Sequence, residues 1–283
     1  MESTQQNVIL VATDFTPLGD YAIDHAANMA KLINHKLVLL HVINSATKKK
    51  WLKGKKNQDP VADRLSDIAK KVKQEHGIEV EYLAPEGSIF STIAESARHV
   101  GARFLFMGTH GKKGIQFLLG SFALKVVTTS PVPIVVVQKP SLGINYKSIV
   151  YPLDLDIGSK QKVKWAIFMH KNFGSVIDIL VYNINDDATQ RKLRADLKQV
   201  ENILEQNNVS YTSSVADARG SFDKQIVAYA KQKNADAIMI STDPDTLSWN
   251  PFGTQPERIL YNEEKIPVMC INSRDLRLII GGP

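Results

Sequence analysis

The stretch "MGTHGKKGIQFLLGS", Met107–Ser121, follows directly on the apolar run "ARFLF" and leads into "SFALKVVTTS". A short continuous apolar run reads as a buried strand, and "SFALKVVTTS" reads as a helix. Between them lie four glycines, Gly108, Gly111, Gly114 and Gly120, with Lys112 and Lys113 among them. A strand that empties through a glycine loop into a helix is a unit of an α/β protein, and the rest of the chain repeats it.

Reading outward, "NVILVAT" is a strand and "GDYAIDHAANMAKLI" a helix with Ala22, Ala26, Met29, Ala30 and Ile33 on one face. "KLVLLHVI" is a strand, and "VADRLSDIAKKVKQEHG" a helix carrying Leu65, Ile68, Ala69 and Val72 and stopping at Gly77. "IEVEYLA" is a strand, "SIFSTIAESARHVG" a helix with Ser88 at its N-cap, and "VPIVVVQ" a last strand. Strand and helix alternate five times, which predicts a parallel sheet with helices on both faces.

The pattern then recurs. "VILVATDF" is answered by "SIVYPLDL", Asp14 by Asp154, Gly87-Ser88 by Gly220-Ser221, and Gly120-Ser121 by Gly253-Thr254. "KPSLGINY" between the halves suits a linker. The expectation is two tandem doubly wound α/β domains, residues 1–143 and 144–283, each a five-stranded parallel sheet.

Composition narrows the function. With 283 residues, 43% hydrophobic and 23% charged, the chain reads as a soluble globular protein, and no apolar run is long enough for a membrane helix. The start lacks a secretory signal, and Cys270 has no partner for a disulfide, so the cytoplasm is the expected compartment. The net charge of +6 concentrates in "TKKKWLKGKK". That run is read as a solvated loop, with a contact to phosphate or an anionic surface as the alternative. It lacks the interleaved aromatics that nucleic-acid binding requires.

In a doubly wound sheet the ligand crevice lies beyond the carboxyl ends of the strands where strand order reverses, here between "ATDFT" and "MGTHG". Glycine at 108 and 111 lets backbone N–H groups approach phosphate oxygens, and Gly120-Ser121 opens a helix whose free N–H groups favour an anion. A glycine-rich turn without a ligand is the alternative. Asp14 at the same rim either accepts hydrogen bonds from adenine or ribose or simply forms the turn. Neither G-x-x-x-x-G-K-[ST] nor a G-x-G-x-x-G after the first strand is present. The six histidines outside the loop, His25, His35, His41, His76, His99 and His170, have no metal-ligand spacing and read as packing or surface residues.

Together "VILVATDFT", "LVLLHVI", "MGTHGKKGIQFLLGS" and "SPVPIVVV" resemble the universal stress protein family, and the two halves resemble a tandem member. The resemblance implies a nucleotide-binding protein of stress response and regulation, holding ATP with magnesium as companion ion and turning it over slowly at most. It places Ala12, Thr13 and Asp14 at the adenine with Val42 on its face, and Met107 and Gly108 beside the ribose and phosphates. His110, Gly111, Gly120, Ser121 and Phe122 would wrap the phosphates. Eight residues, not the family's nine, separate Gly111 from Gly120. The second half has Ser241 and Pro244 at the leading glycines, with Asp243 and Asp245 nearby, so one ATP in the first half is expected. The resemblance also implies pairing of the terminal strands "PIVVVQ" and "PVMCI" as an intramolecular pseudo-dimer, with further homodimerisation open. Alternatives are a nucleotide-free scaffold and an adenylate-using enzyme, although the S-G-G-x-D-S and H-I-G-H motifs of such enzymes are absent.

Overall fold

The computed structural model describes residues 7–51, 59–109, 121–141, 143–242 and 256–272. They fall into two compact units, the first ending at Ser141 and the second beginning at Gly143.

The first unit runs β1 (Val8–Ala12), α1 (Pro17–Leu32), β2 (Lys36–Leu40), α2 (Ser45–Trp51), α3 (Asp59–His76), β3 (Val80–Leu83), α4 (Ile89–His99), β4 (Ala102–Gly108), α5 (Ser121–Thr129) and β5 (Ile134–Val137). Its strands lie in the order β3-β2-β1-β4-β5, all parallel. Val8, Ile9, Leu10 and Val11 are fully buried, as the continuous apolar run required. Burying each is worth about 1.5–3 kcal/mol. Right-handed crossovers put α1 and α3, which touch, on one face, and α4 and α5, which touch, on the other. α1 begins sharply because Thr16 caps the Gly19 N–H at 3.4 Å and Pro17 follows with its φ already helical. Ser88 takes the N-cap backbone conformation at α4 but makes no side-chain capping bond.

The basic run departs from expectation in its first part. Residues read as loop form α2, whose N-terminus is held by Asn44 Oδ1 accepting the Thr47 N–H at 2.9 Å. The remainder of that run, 52–58, lies outside the described residues.

The second unit runs β6 (Ser148–Leu153), α6 (Ile157–Gln161), α7 (Val163–Phe173), β7 (Val176–Val181), α8 (Asp187–Gln206), β8 (Tyr211–Val215), α9 (Phe222–Gln232), β9 (Ala237–Ser241), α10 (Pro256–Leu260) and β10 (Val268–Ile271). Its order, β8-β7-β6-β9-β10, is again parallel throughout and reproduces the first. Among the described residues no helix is long and apolar enough to cross a membrane.

Candidate functional site

In the first sheet the strand order reverses between β1 and β4, because β2 and β3 lie on one side of β1 and β4 and β5 on the other. Ala12 pairs with Leu40 of β2 and with Met107 of β4, so all three strand ends share one edge. The residues that follow form a tight turn into α1. Thr13 continues the ladder toward β2, its N–H donating to Leu40 O at 2.9 Å. Asp14 is exposed, and its Oδ1 accepts the Thr16 N–H at 3.0 Å and the Thr16 hydroxyl at 2.6 Å. Its Oδ2 has no partner among the described residues.

Phe15 closes the turn in the left-handed region, with φ of 62°. A bulky residue there costs about 1–2 kcal/mol, so the surroundings must hold it. Its N–H donates to Thr13 Oγ1 at 3.1 Å, its ring stacks on His41 at 4.3 Å, and the Arg64 guanidinium lies 4.9 Å from its ring centre. Burial pushes the His41 imidazole below its usual range, against the opposing bond to Thr13 O, so it is neutral at pH 7.

The structure thus gathers Ala12, Thr13, Asp14, Val42, Met107 and Gly108 at one strand-end edge, with Val42 8% and Met107 7% exposed. His110, Gly111 and Gly120 lie outside the described residues; Ser121 and Phe122 open α5. Gly108 has a reason that the sequence reading missed. A Cβ there would fall 2.3 Å from Leu18 O, inside the first turn of α1. The glycine admits the helix, whatever else approaches it.

The second unit carries the same frame with different contents. Ser148 pairs with Val176 as Val8 pairs with Lys36, which sets Asp154 at the position of Asp14 and Tyr182 at that of Val42. The β6–β9 ladder stops at Val150–Ile238, whereas β1–β4 runs on to Ala12–Met107. Pro152 stands where Ala12 does and offers no N–H. Its carbonyl accepts instead from Lys162 Nζ at 2.6 Å. That ammonium is buried, donates also to Ser159 O at 3.1 Å and lies 4.1 Å from the Tyr151 ring centre. Burial lowers the Lys162 amine to about 8, against the opposing charges of Asp154 and Asp156. Asp154 is 1% exposed and accepts the Ser159 hydroxyl and, at 3.1 Å, the Asp156 N–H. Tyr182 packs on Phe222 at 5.0 Å. Ser241 stands in place of Gly108, and opposite it is Gly158, whose added Cβ would fall 1.9 Å from Ser241 Oγ.

A parallel doubly wound sheet with a strand-end acid and a glycine-bearing strand end at its switch point defines a nucleotide-binding α/β fold. Residues 7–138 match the model of the universal stress protein family. A universal stress protein of Methanocaldococcus jannaschii is 29% identical over 140 residues, which cover 47% of this chain and 82% of the relative. A second from the same organism is 26% identical over 160 residues, 48% of this chain and 98% of the relative. The whole chain shares its fold with a universal stress protein from Archaeoglobus fulgidus, with a TM-score of 0.75 at 20% identity, over 95% of this chain and 99% of that one. A putative universal stress protein from Pseudomonas aeruginosa gives 0.64 at 14% identity, over 96% and 95%.

Proposed function

We propose that the chain is a nucleotide-binding regulatory protein of the stress-response type, without a catalytic cycle of its own beyond slow ATP turnover, and that it holds one ATP in the crevice of its first unit. The observation that carries this reading is the exposure of Asp14 at the switch point, beside Ala12, Thr13 and Met107, while its counterpart Asp154 is 1% exposed and bonded within its own turn. A carboxylate with an unpartnered oxygen accepts a hydrogen bond from the adenine amino group or a ribose hydroxyl. Val42 adds apolar surface for the ring. The backbone around Gly108, with His110, Gly111, Gly120, Ser121 and Phe122, would wrap the phosphates through N–H groups, and Lys112 and Lys113 would add positive charge. Magnesium would arrive on the phosphates, since among the described residues no group of three or more His, Cys, Asp or Glu side chains is arranged to hold a metal. The second unit is a scaffold whose strand-end acid is buried and bonded within its own turn.

Equilibrium titration of the full chain with ATP, together with mass spectrometry of nucleotide released from the purified protein, tests this. One site per chain is expected. Gly111→Val should weaken ATP binding by roughly a hundredfold, since two charge-assisted bonds at about 1.5–3 kcal/mol each are lost. Two equivalent sites, or no adenine nucleotide bound even at millimolar concentration, would refute it.

A further inference from the structure

In the sequence His41 reads as a packing or surface residue, yet its two ring nitrogens join the segments on which the proposed site depends. Its Nδ1 lies 2.8 Å from Thr13 O. A carbonyl only accepts, so Nδ1 carries the proton and donates. In the neutral ring Nε2 must then accept, and the Thr47 hydroxyl donates to it at 3.0 Å. Thr47 Oγ1 also lies 3.3 Å from Val42 O. One buried imidazole, 6% exposed, thereby ties Thr13 on the β1–α1 turn to the first turn of α2, beside Val42. Its face supports Phe15, the residue in the left-handed conformation, with the rings only 17° from parallel. Asp14 is therefore bracketed, with the carbonyl before it held by His41 and the ring after it stacked on the same imidazole.

The second unit provides an internal comparison. The register that aligns Asp154 with Asp14 sets Val181 where His41 stands, and Val181 has no polar side-chain atom. In that unit the strand-end acid is buried rather than exposed. The histidine accompanies the outward-facing acid.

We propose that His41, acting with Thr47, is a positioning residue for the purine ring: it fixes the Thr13–Asp14 backbone relative to Val42 and so sets the affinity of the first crevice for the base rather than for the phosphates. This rests on the reading that the crevice takes an adenine nucleotide. His41→Phe keeps a ring against Phe15 and removes both hydrogen bonds. His41→Asn retains a donor near the position of Nδ1, and Thr47→Val removes the hydroxyl while keeping the shape.

The test is calorimetric titration of the full-length variants with ATP and, separately, with adenosine. His41→Phe should weaken both ligands by the same factor, roughly tenfold, because the loss is at the base. His41→Asn should recover most of it, and Thr47→Val should weaken both by about threefold. Gly111→Val should instead weaken ATP and leave adenosine unchanged. Unchanged affinities in a His41→Phe protein that melts like the parent, or a loss confined to ATP, would overturn the inference while leaving the nucleotide site intact. If His41→Phe does not fold, unchanged affinities in Thr47→Val overturn it equally. A parent chain that binds neither ATP nor adenosine removes the nucleotide reading itself, and this inference with it.

Discussion

Replacing Gly158 with alanine should destabilise the second unit, and removing the Ser241 side chain should restore it. Glycine inside a helix is normally a weakness: alanine there gains up to about 1 kcal/mol. Gly158 is not among the residues with positive φ, so its backbone would accept alanine. What forbids it is space. The new Cβ would lie 1.9 Å from Ser241 Oγ and 3.0 Å from Ser241 Cβ. The hydroxyl can rotate away cheaply because, although buried, it has no hydrogen-bond partner among the described residues. The Cβ cannot, and helix or strand must give by a few tenths of an ångström. Overpacking of this kind costs about 1–3 kcal/mol, which outweighs the helical gain. A net loss of about 1–2 kcal/mol should lower the melting temperature by a few degrees. In the Gly158→Ala/Ser241→Gly double variant both offending atoms are gone, so the two changes should couple favourably by about 1–3 kcal/mol. Because two units need not unfold together, hydrogen exchange at β6 and β9 should accompany the melting curve. A Gly158→Ala protein as stable as its parent, or one equally destabilised whether residue 241 is serine or glycine, would refute the reasoning. The result bears on function, because it decides whether Ser241 is a decayed phosphate-loop glycine or half of a packing pair. In the first unit the glycine is on the strand, at Gly108, and the larger residue, Leu18, is on the helix. In the second unit the arrangement is reversed.

Two further outcomes are expected. The Lys162 amine is pushed down to about 8, so the unfolded chain holds a proton that the folded one has released from pH 8 up to the ordinary lysine range; the stability of the parent relative to Lys162→Met should therefore rise with pH, by about 2 kcal/mol between pH 8 and 9.5, and a flat difference in urea denaturation across that range would contradict the burial argument. Asp24 accepts both the Ser141 N–H at 3.0 Å and its hydroxyl at 2.6 Å, while His25 Nε2–H donates to Lys139 O at 3.1 Å, so Asp24→Ala should release the segment after β5 and speed hydrogen exchange at the Ser141 amide by at least tenfold, with unchanged exchange showing that the clasp is unimportant.

The fold was legible because continuous β-branched runs have few alternatives to a buried parallel strand. "NVILVAT" and "VPIVVVQ" became β1 and β5 within a residue or two of their expected ends. The short helix α2 was not legible, since "SATKKKW" has no apolar face; capping by Asn44 and the Lys48–Glu86 ion pair support it instead. Nor was the division of "GSKQKVKWAIF" into α6 and α7, which brings a lysine from a basic stretch into the interior. Lys162 is held in the interior by the Pro152 and Ser159 carbonyls, which accept from its ammonium, and no periodicity carries that information. His41 was missed for a related reason. One histidine in an apolar strand reads as packing, and its bond to Thr13, 28 residues away in sequence, exists only once β1 and β2 are paired.

What separates the two crevices comes down to a few side chains on a shared backbone plan. Five residues beyond the strand-end acid the first unit has Gly19 and the second has Ser159. Ser159 donates its hydroxyl to Asp154 Oδ1, and the acid is drawn inside. Gly19 has no hydroxyl to give. Asp14 is held instead by Thr16, two residues further along, which in turn caps α1. A buried carboxylate is tolerable only when it is hydrogen-bonded, and in the second unit Asp154 Oδ1 takes two such bonds from within its own turn. An exposed carboxylate with one oxygen unpartnered is in no such debt, since water serves it until a ligand replaces the water. The same fold thus yields a buried acid where the hydroxyl comes from Ser159 and an exposed one where it comes from Thr16. Sequence comparison of the glycine loops alone would place the difference in those loops; the structure shows that the strand-end acids differ as well.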